Sequence, residues 1–172
     1  GGQFAAAQAG TYVAQVLVAG VDRSGQPILR SSEHLVPVVE QSLRINGTRA
    51  GSKSLAGERI AIEVPVQAAK SGQHYRSWAE LWGTDAAGRD VPVAWVGGMV
   101  TPQSGALSLG LDERWVVLAG AGAPFTLRNL RIEDPDHFVT VAEAGELALG
   151  LPTIRSKAVA SRIVIDERMT QG

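Results

Sequence analysis

The part of this sequence best equipped for chemistry is the set Arg76, Trp78, Glu80 and Trp82, inside the run Tyr75-Arg76-Ser77-Trp78-Ala79-Glu80-Leu81-Trp82-Gly83. In an extended strand successive side chains point to opposite faces, so Tyr75, Ser77, Ala79 and Leu81 share one side and Arg76, Trp78, Glu80 and Trp82 the other. If the Tyr75 side packs inward, two indole rings stand on the outside with a guanidinium and a carboxylate beside them. Such a surface suits stacking against a sugar ring or docking of a protein partner. The competing reading buries both tryptophans, which is the more common fate of so large an aromatic side chain.

Carboxylates make the second constellation. Glu133-Asp134-Pro135-Asp136-His137 gathers three acids, Glu133, Asp134 and Asp136, in one short stretch, and oxygen ligands of that kind are what calcium takes. The order of a calcium-binding loop is missing, however, and acids in β-turns commonly cap their own backbone, so a turn is the favoured reading. No other cofactor is indicated. His34, His74 and His137 are too far apart in sequence to form a local zinc motif. The nearest approach to a nucleophile elbow, Thr101-Pro102-Gln103-Ser104-Gly105, lacks the first glycine and a following helix. No glycine-rich turn leads into a helix that could hold a phosphate. No catalytic residue emerges.

The elements that must position these groups are strands. Alternation of apolar and polar residues is broken at short intervals by Gly, Pro, Asn and Asp, the pattern of an antiparallel β-sandwich. It predicts strands over residues 12–20, 27–39, 43–46, 59–66, 75–83, 91–100, 106–111, 115–118, 125–132 and 138–141. Trp95 and Trp115 lie in apolar runs and read as core. Asp22-Arg23-Ser24-Gly25 and Asp85-Ala86-Ala87-Gly88 each open on an acid able to form an Asx-turn and close on a glycine tolerant of positive φ, so both read as hairpin tips. Residues 141–149, rich in Ala, Glu and Leu, could hold a helical turn, although Gly145 weakens it.

The 172 residues suffice for one domain with a sizeable core and no staples. A formal net charge of -1 provides no electrostatic footprint for nucleic acid, which normally needs clustered Lys and Arg, so nucleic acid is not the expected partner. The absence of cysteine removes disulfides, thiolate metal sites and cysteine nucleophiles, and no apolar run is long enough for membrane insertion. Residues 1–9 carry neither the charged start nor the apolar centre of a signal peptide, so the chain reads as a mature or excised piece.

One internal similarity stands out. Gly10, Tyr12, Gly20, Asp22, Gly25 and Pro27 line up with Gly72, Tyr75, Gly83, Asp85, Gly88 and Pro92, and the tyrosines lie 75 − 12 = 63 residues apart. That spacing fits two similar hairpins rather than a solenoid repeat. These hairpin residues, with Pro92-Val93-Ala94-Trp95 and Gly122-Ala123-Pro124-Phe125-Thr126-Leu127-Arg128-Asn129-Leu130-Arg131-Ile132-Glu133-Asp134, resemble immunoglobulin-like modules of bacterial exported proteins, among them an uncharacterised family of unknown function.

The resemblance spans residues 10–135 and implies an all-β, antiparallel immunoglobulin-like β-sandwich with no catalytic set to inherit. It implies a location in the periplasm, at the cell surface or outside a bacterial cell. A single sandwich over residues 1–150 with a C-terminal extension, 151–172, is expected, because a lone hairpin is marginally stable. The alternative division makes 1–40 the hairpin of a preceding domain and 41–150 a complete sandwich. The function expected is a non-catalytic structural or protein-interaction module. A carbohydrate-binding module using Trp78 and Trp82, or a calcium-stabilised accessory domain of an exported enzyme, are the alternatives.

Overall fold

The computed structural model describes residue 6 and residues 8–68 and 70–155. Ten strands and one short helix follow in the order β1 (Gly10–Val21), β2 (Pro27–Val38), β3 (Leu43–Ile45), β4 (Arg49–Leu55), β5 (Arg59–Ala68), β6 (Tyr75–Thr84), β7 (Asp90–Val100), β8 (Ala106–Asp112), α1 (Glu113–Leu118), β9 (Gly122–Asp134) and β10 (Val139–Leu149). β1 and β2 form a two-stranded sheet of their own. The remaining strands run β3-β5-β4-β10-β9-β6-β7, with β8 on the other edge of β5. Every pairing is antiparallel except a short parallel step between β4 and β10, where Arg49 and Ala50 meet Ala148 and Leu149.

The core follows from alternation. Ile60, Ile62, Val64 and Val66 of β5 are buried, as are Leu107, Leu109 and Leu111 of β8; these face Tyr75, Ala79 and Leu81 of β6, Phe125, Leu127, Leu130 and Ile132 of β9, and Leu147 and Leu149 of β10. Each fully buried aliphatic side chain of this kind stabilises the fold by about 1.5–3 kcal/mol. Two layers around one core make a sandwich. The all-β antiparallel architecture is the one the alternation predicts.

Three elements differ from the sequence reading. Residues 115–118 belong to a helix, because Asp112 caps it by accepting a hydrogen bond from the Arg114 backbone N–H at 3.0 Å, and the apolar run that suggested a strand buries only Val116. Residues 141–149 form the strand β10 rather than a helical turn, since pairing along β9 outweighs the helix preference of Ala and Glu. β4 escaped notice because it is mostly polar, with Ala50 its single buried residue. Residues 161–166, whose sequence could form a further strand, lie outside the described residues.

Both hairpin tips take the same form. Asp22 Oδ1 accepts from the backbone N–H groups of Ser24 and Gln26 at 2.8 and 2.9 Å, and Asp85 Oδ1 from those of Ala87 and Arg89 at the same two distances. Gly25 and Gly88 close the turns with φ of 82° and 77°.

Candidate binding face

The outward side of β7-β6-β9-β10 is built in rows by strand register. One row runs Trp95, Glu80, Arg128, Glu146; the next runs Gly97, Trp78, Arg131, Glu143; a third runs Met99, Arg76, Glu133, Thr140. Tyr75, Ser77, Ala79 and Leu81 are buried on the opposite side, which leaves Trp78 and Trp82 half-buried on this one. Gly97 makes room for the Trp78 strand: a Cβ there would lie 2.4 Å from the Ser77 carbonyl oxygen and 2.8 Å from the Trp78 Cα. An approach so close leaves no space for any side chain.

Each of the two tryptophans carries a guanidinium. Arg76 lies 5.0 Å from the centre of the Trp78 ring and 5.8 Å from that of Phe138, and Arg128 lies 4.8 Å from the Trp82 ring. Contacts of this geometry are cation–π attractions worth about 0.5–1 kcal/mol where water has access. Arg128 is fixed further by Asp90 at 2.5 Å and Glu146 at 3.1 Å, and those hydrogen bonds raise its pKa. Glu80 accepts from the Trp82 indole N–H at 3.0 Å and from the Asn129 side-chain amide at 3.2 Å. Those two donors, with Arg128 nearby, hold the Glu80 carboxyl below its ordinary range. Arg76, Trp78, Glu80 and Trp82 thus share one face, as their alternation requires.

A bulge in β9 delivers Arg128 and Asn129 to this face. Trp78 pairs with Arg131 and Glu80 with Arg128, so two residues of β9, Asn129 and Leu130, oppose Ala79, and Asn129 takes a φ of 52°. The sequence holds a trace of it: the inward residues Leu127 and Leu130 are three apart where a regular strand keeps them two apart.

The acidic stretch closes on itself. Asp134 Oδ1 accepts from the Asp136 and His137 backbone N–H groups at 3.0 and 2.9 Å and contacts His137 Nδ1 at 2.9 Å. Glu133 stands 4.0 Å from Arg76 on the outward face. Among the described residues no three side chains of the metal-ligating types converge on a common point. The histidines stay apart: His34 contacts the Ser32 hydroxyl, His74 that of Thr101, and His137 the Asp134 turn.

Trp95 and Trp115, expected in the core, are 73% and 40% exposed. Trp95 sits opposite Glu80 in the register, and since Glu80 points outward so must Trp95, while Val96 takes the inward place. Trp115 lies on the outer side of α1, whose buried residues are Glu113 and Val116. With Met99 and Phe138, also exposed, Trp95 extends the apolar surface of this face beyond β6.

Short antiparallel strands joined by hairpins, in two layers around one core, define the chain as immunoglobulin-like. Residues 76–172 match the model of the conditioned medium factor third Ig-like domain, and the chain belongs to that family. Residues 1–38 match the conditioned medium factor second Ig-like domain. β3, β4 and β5 fall between the two matched stretches and pack into the same core as the strands of the later one. The chain is 31% identical over 153 residues to Conditioned medium factor of Dictyostelium discoideum, an alignment covering 83% of this chain and 22% of that protein. Among solved structures it resembles a DUF4785 family protein of Legionella pneumophila, with a TM-score of 0.47 and 16% identity over 81% of this chain and 36% of that one.

Proposed function

We propose that this chain is a non-catalytic protein-interaction module of a secreted protein, and that the outward face of β7-β6-β9-β10 is its docking surface. The observation carrying this is the exposed Trp95 beside Trp78 and Trp82, which the guanidiniums of Arg76 and Arg128 hold in place. Rigid aromatic side chains and arginine are the types that concentrate binding energy at protein interfaces. Alternating Arg128, Arg131, Glu143 and Glu146 around them supply the charged rim such an interface uses to select its partner. The secreted setting rests on the similarity to a factor named for conditioned medium. The bacterial periplasm or cell surface is the narrower setting that the sequence resemblance implies.

Sugar stacking needs an open ring face, and the arginines occupy one side of Trp78 and of Trp82. A parallel screen of proteins and glycans tests this, run on wild type and on Trp95→Ser, Trp78→Ala and Trp82→Ala, with Lys53→Ala on the polar strand β4 as control. Protein capture that Trp95→Ser abolishes and Lys53→Ala keeps supports the reading. Glycan capture dependent on Trp78 and Trp82 replaces it with the carbohydrate one.

A further inference from the structure

The turn between β3 and β4 carries Asn46-Gly47-Thr48, and all three residues are exposed. The sequence has two asparagines, Asn46 and Asn129, and they stand in opposite settings. The Asn129 side-chain amide donates to Glu80 at 3.2 Å inside β9, and the residue that follows it, Leu130, is fully buried. Asn46 is followed instead by a glycine with a φ of 83°, where an added Cβ would meet nothing within 4 Å. Among the described residues neither the Asn46 carboxamide nor the Gly47 backbone N–H has a hydrogen-bond partner. A backbone nitrogen so placed, on a residue with no side chain to restrict it, is free to swing onto the neighbouring carboxamide carbon.

We propose that Asn46 is a site of spontaneous deamidation, and that its isoaspartyl form loosens the parallel joint between β4 and β10. In the first step the Gly47 nitrogen, having given its proton to hydroxide, attacks Cγ of Asn46. The bond from nitrogen to Cγ forms, the bond from Cγ to the carboxamide nitrogen breaks, and that nitrogen leaves as ammonia with a proton from water. Water then opens the succinimide ring. Opening at Cγ gives aspartate, and opening at the main-chain carbonyl carbon gives isoaspartate, in which the chain runs through Cγ. Water is the sole co-reactant, and no electrons change hands.

The turn is anchored on both sides of the reacting bond. The Asn46 backbone N–H donates to the Pro65 carbonyl at 2.8 Å, and the Thr48 carbonyl accepts from the Ala148 N–H of β10 at 3.0 Å. Isoaspartate inserts one carbon into the main chain between these anchors, about 1.5 Å of added length. The pairing of Arg49 and Ala50 with Ala148 and Leu149 lies next to the added carbon and is shorter than the pairings of β3 and of β4 with β5, so it gives way first. This inference is independent of the docking role proposed for β7-β6-β9-β10.

The test is incubation of the folded chain in mildly alkaline buffer beside the same chain unfolded in urea, with peptide mapping to separate asparagine, aspartate and isoaspartate. Asn46 should convert at comparable rates in both, faster as the pH is raised, because the deprotonated amide is the nucleophile. Asn129 in the folded chain should convert about a hundredfold more slowly than Asn46, since β9 exposes it only by local opening. In the isoaspartyl fraction the Ala148 amide should exchange with deuterium faster than in fresh protein. Freshly prepared Asn46→Asp, which has the charge without the added carbon, and aged Asn46→Gln should both exchange there as fresh wild type does. An Asn46 that stays intact in the folded chain while it converts in urea overturns the proposal. Faster exchange in fresh Asn46→Asp, or unchanged exchange in the isoaspartyl fraction, overturns the link to the β4-β10 joint.

Discussion

The buried hydroxyl of Tyr75 lies 3.1 Å from both the carbonyl oxygen and the hydroxyl of Ser42, so one side chain joins the middle of the sandwich to the segment that enters β3. The link crosses 33 residues of sequence. It fixes where β1-β2 leaves the body, because Ser42 follows directly on the connection from β2. Tyr75→Phe keeps the ring and removes the hydroxyl, leaving a buried carbonyl short of a donor. The expected loss is about 1–2 kcal/mol in chemical denaturation. An unchanged midpoint would show that the hydroxyl holds nothing.

Ser77 gives a prediction of opposite sign. Its hydroxyl is buried without a hydrogen-bond partner among the described residues. Ser77→Ala removes a desolvated polar atom at little cost in packing, so stability should rise by about 1 kcal/mol, read as a higher thermal midpoint.

Gly97 lies across from Trp78, and a methyl group there would collide with backbone rather than with a yielding side chain. Gly97→Ala should cost about 1–3 kcal/mol through forced displacement of β7 from β6. Near-ultraviolet circular dichroism should show the tryptophan environment changing in step with stability.

Acid should loosen the candidate face. The Trp82 indole, followed by the Asn129 amide, holds Glu80 below its ordinary pKa in the folded state. A carboxylate with a depressed folded pKa contributes stability above its unfolded pKa and loses that contribution as pH falls through the folded value. Asp22, Asp85, Asp112 and Asp134 are lowered as well, so stability should decline progressively below the ordinary carboxylate range. Glu80→Gln should flatten the acid-dependent change in Trp82 fluorescence while leaving the rest of the decline in place.

The strands were legible wherever one face met the core and the other met water, as in β6, because alternation records burial. β4 left too faint an apolar record, and α1 was hidden by Trp115-Val116-Val117-Leu118, which reads as strand unless the Asp112 cap is given its weight. Arg76, Trp78, Glu80 and Trp82 could be placed together because they share one strand. Trp95, Arg128 and Asn129 could not, since their membership depends on register between strands and on a bulge that shifts it.

The docking face is tested most directly by the affinity of a purified partner for wild type, Trp95→Ser and Lys53→Ala. The account predicts that Trp95→Ser weakens binding by about thirtyfold, the scale of an aromatic anchor worth roughly 2 kcal/mol, while Lys53→Ala leaves it unchanged. Equal affinity for wild type and Trp95→Ser would contradict it and move the docking surface elsewhere on the sandwich.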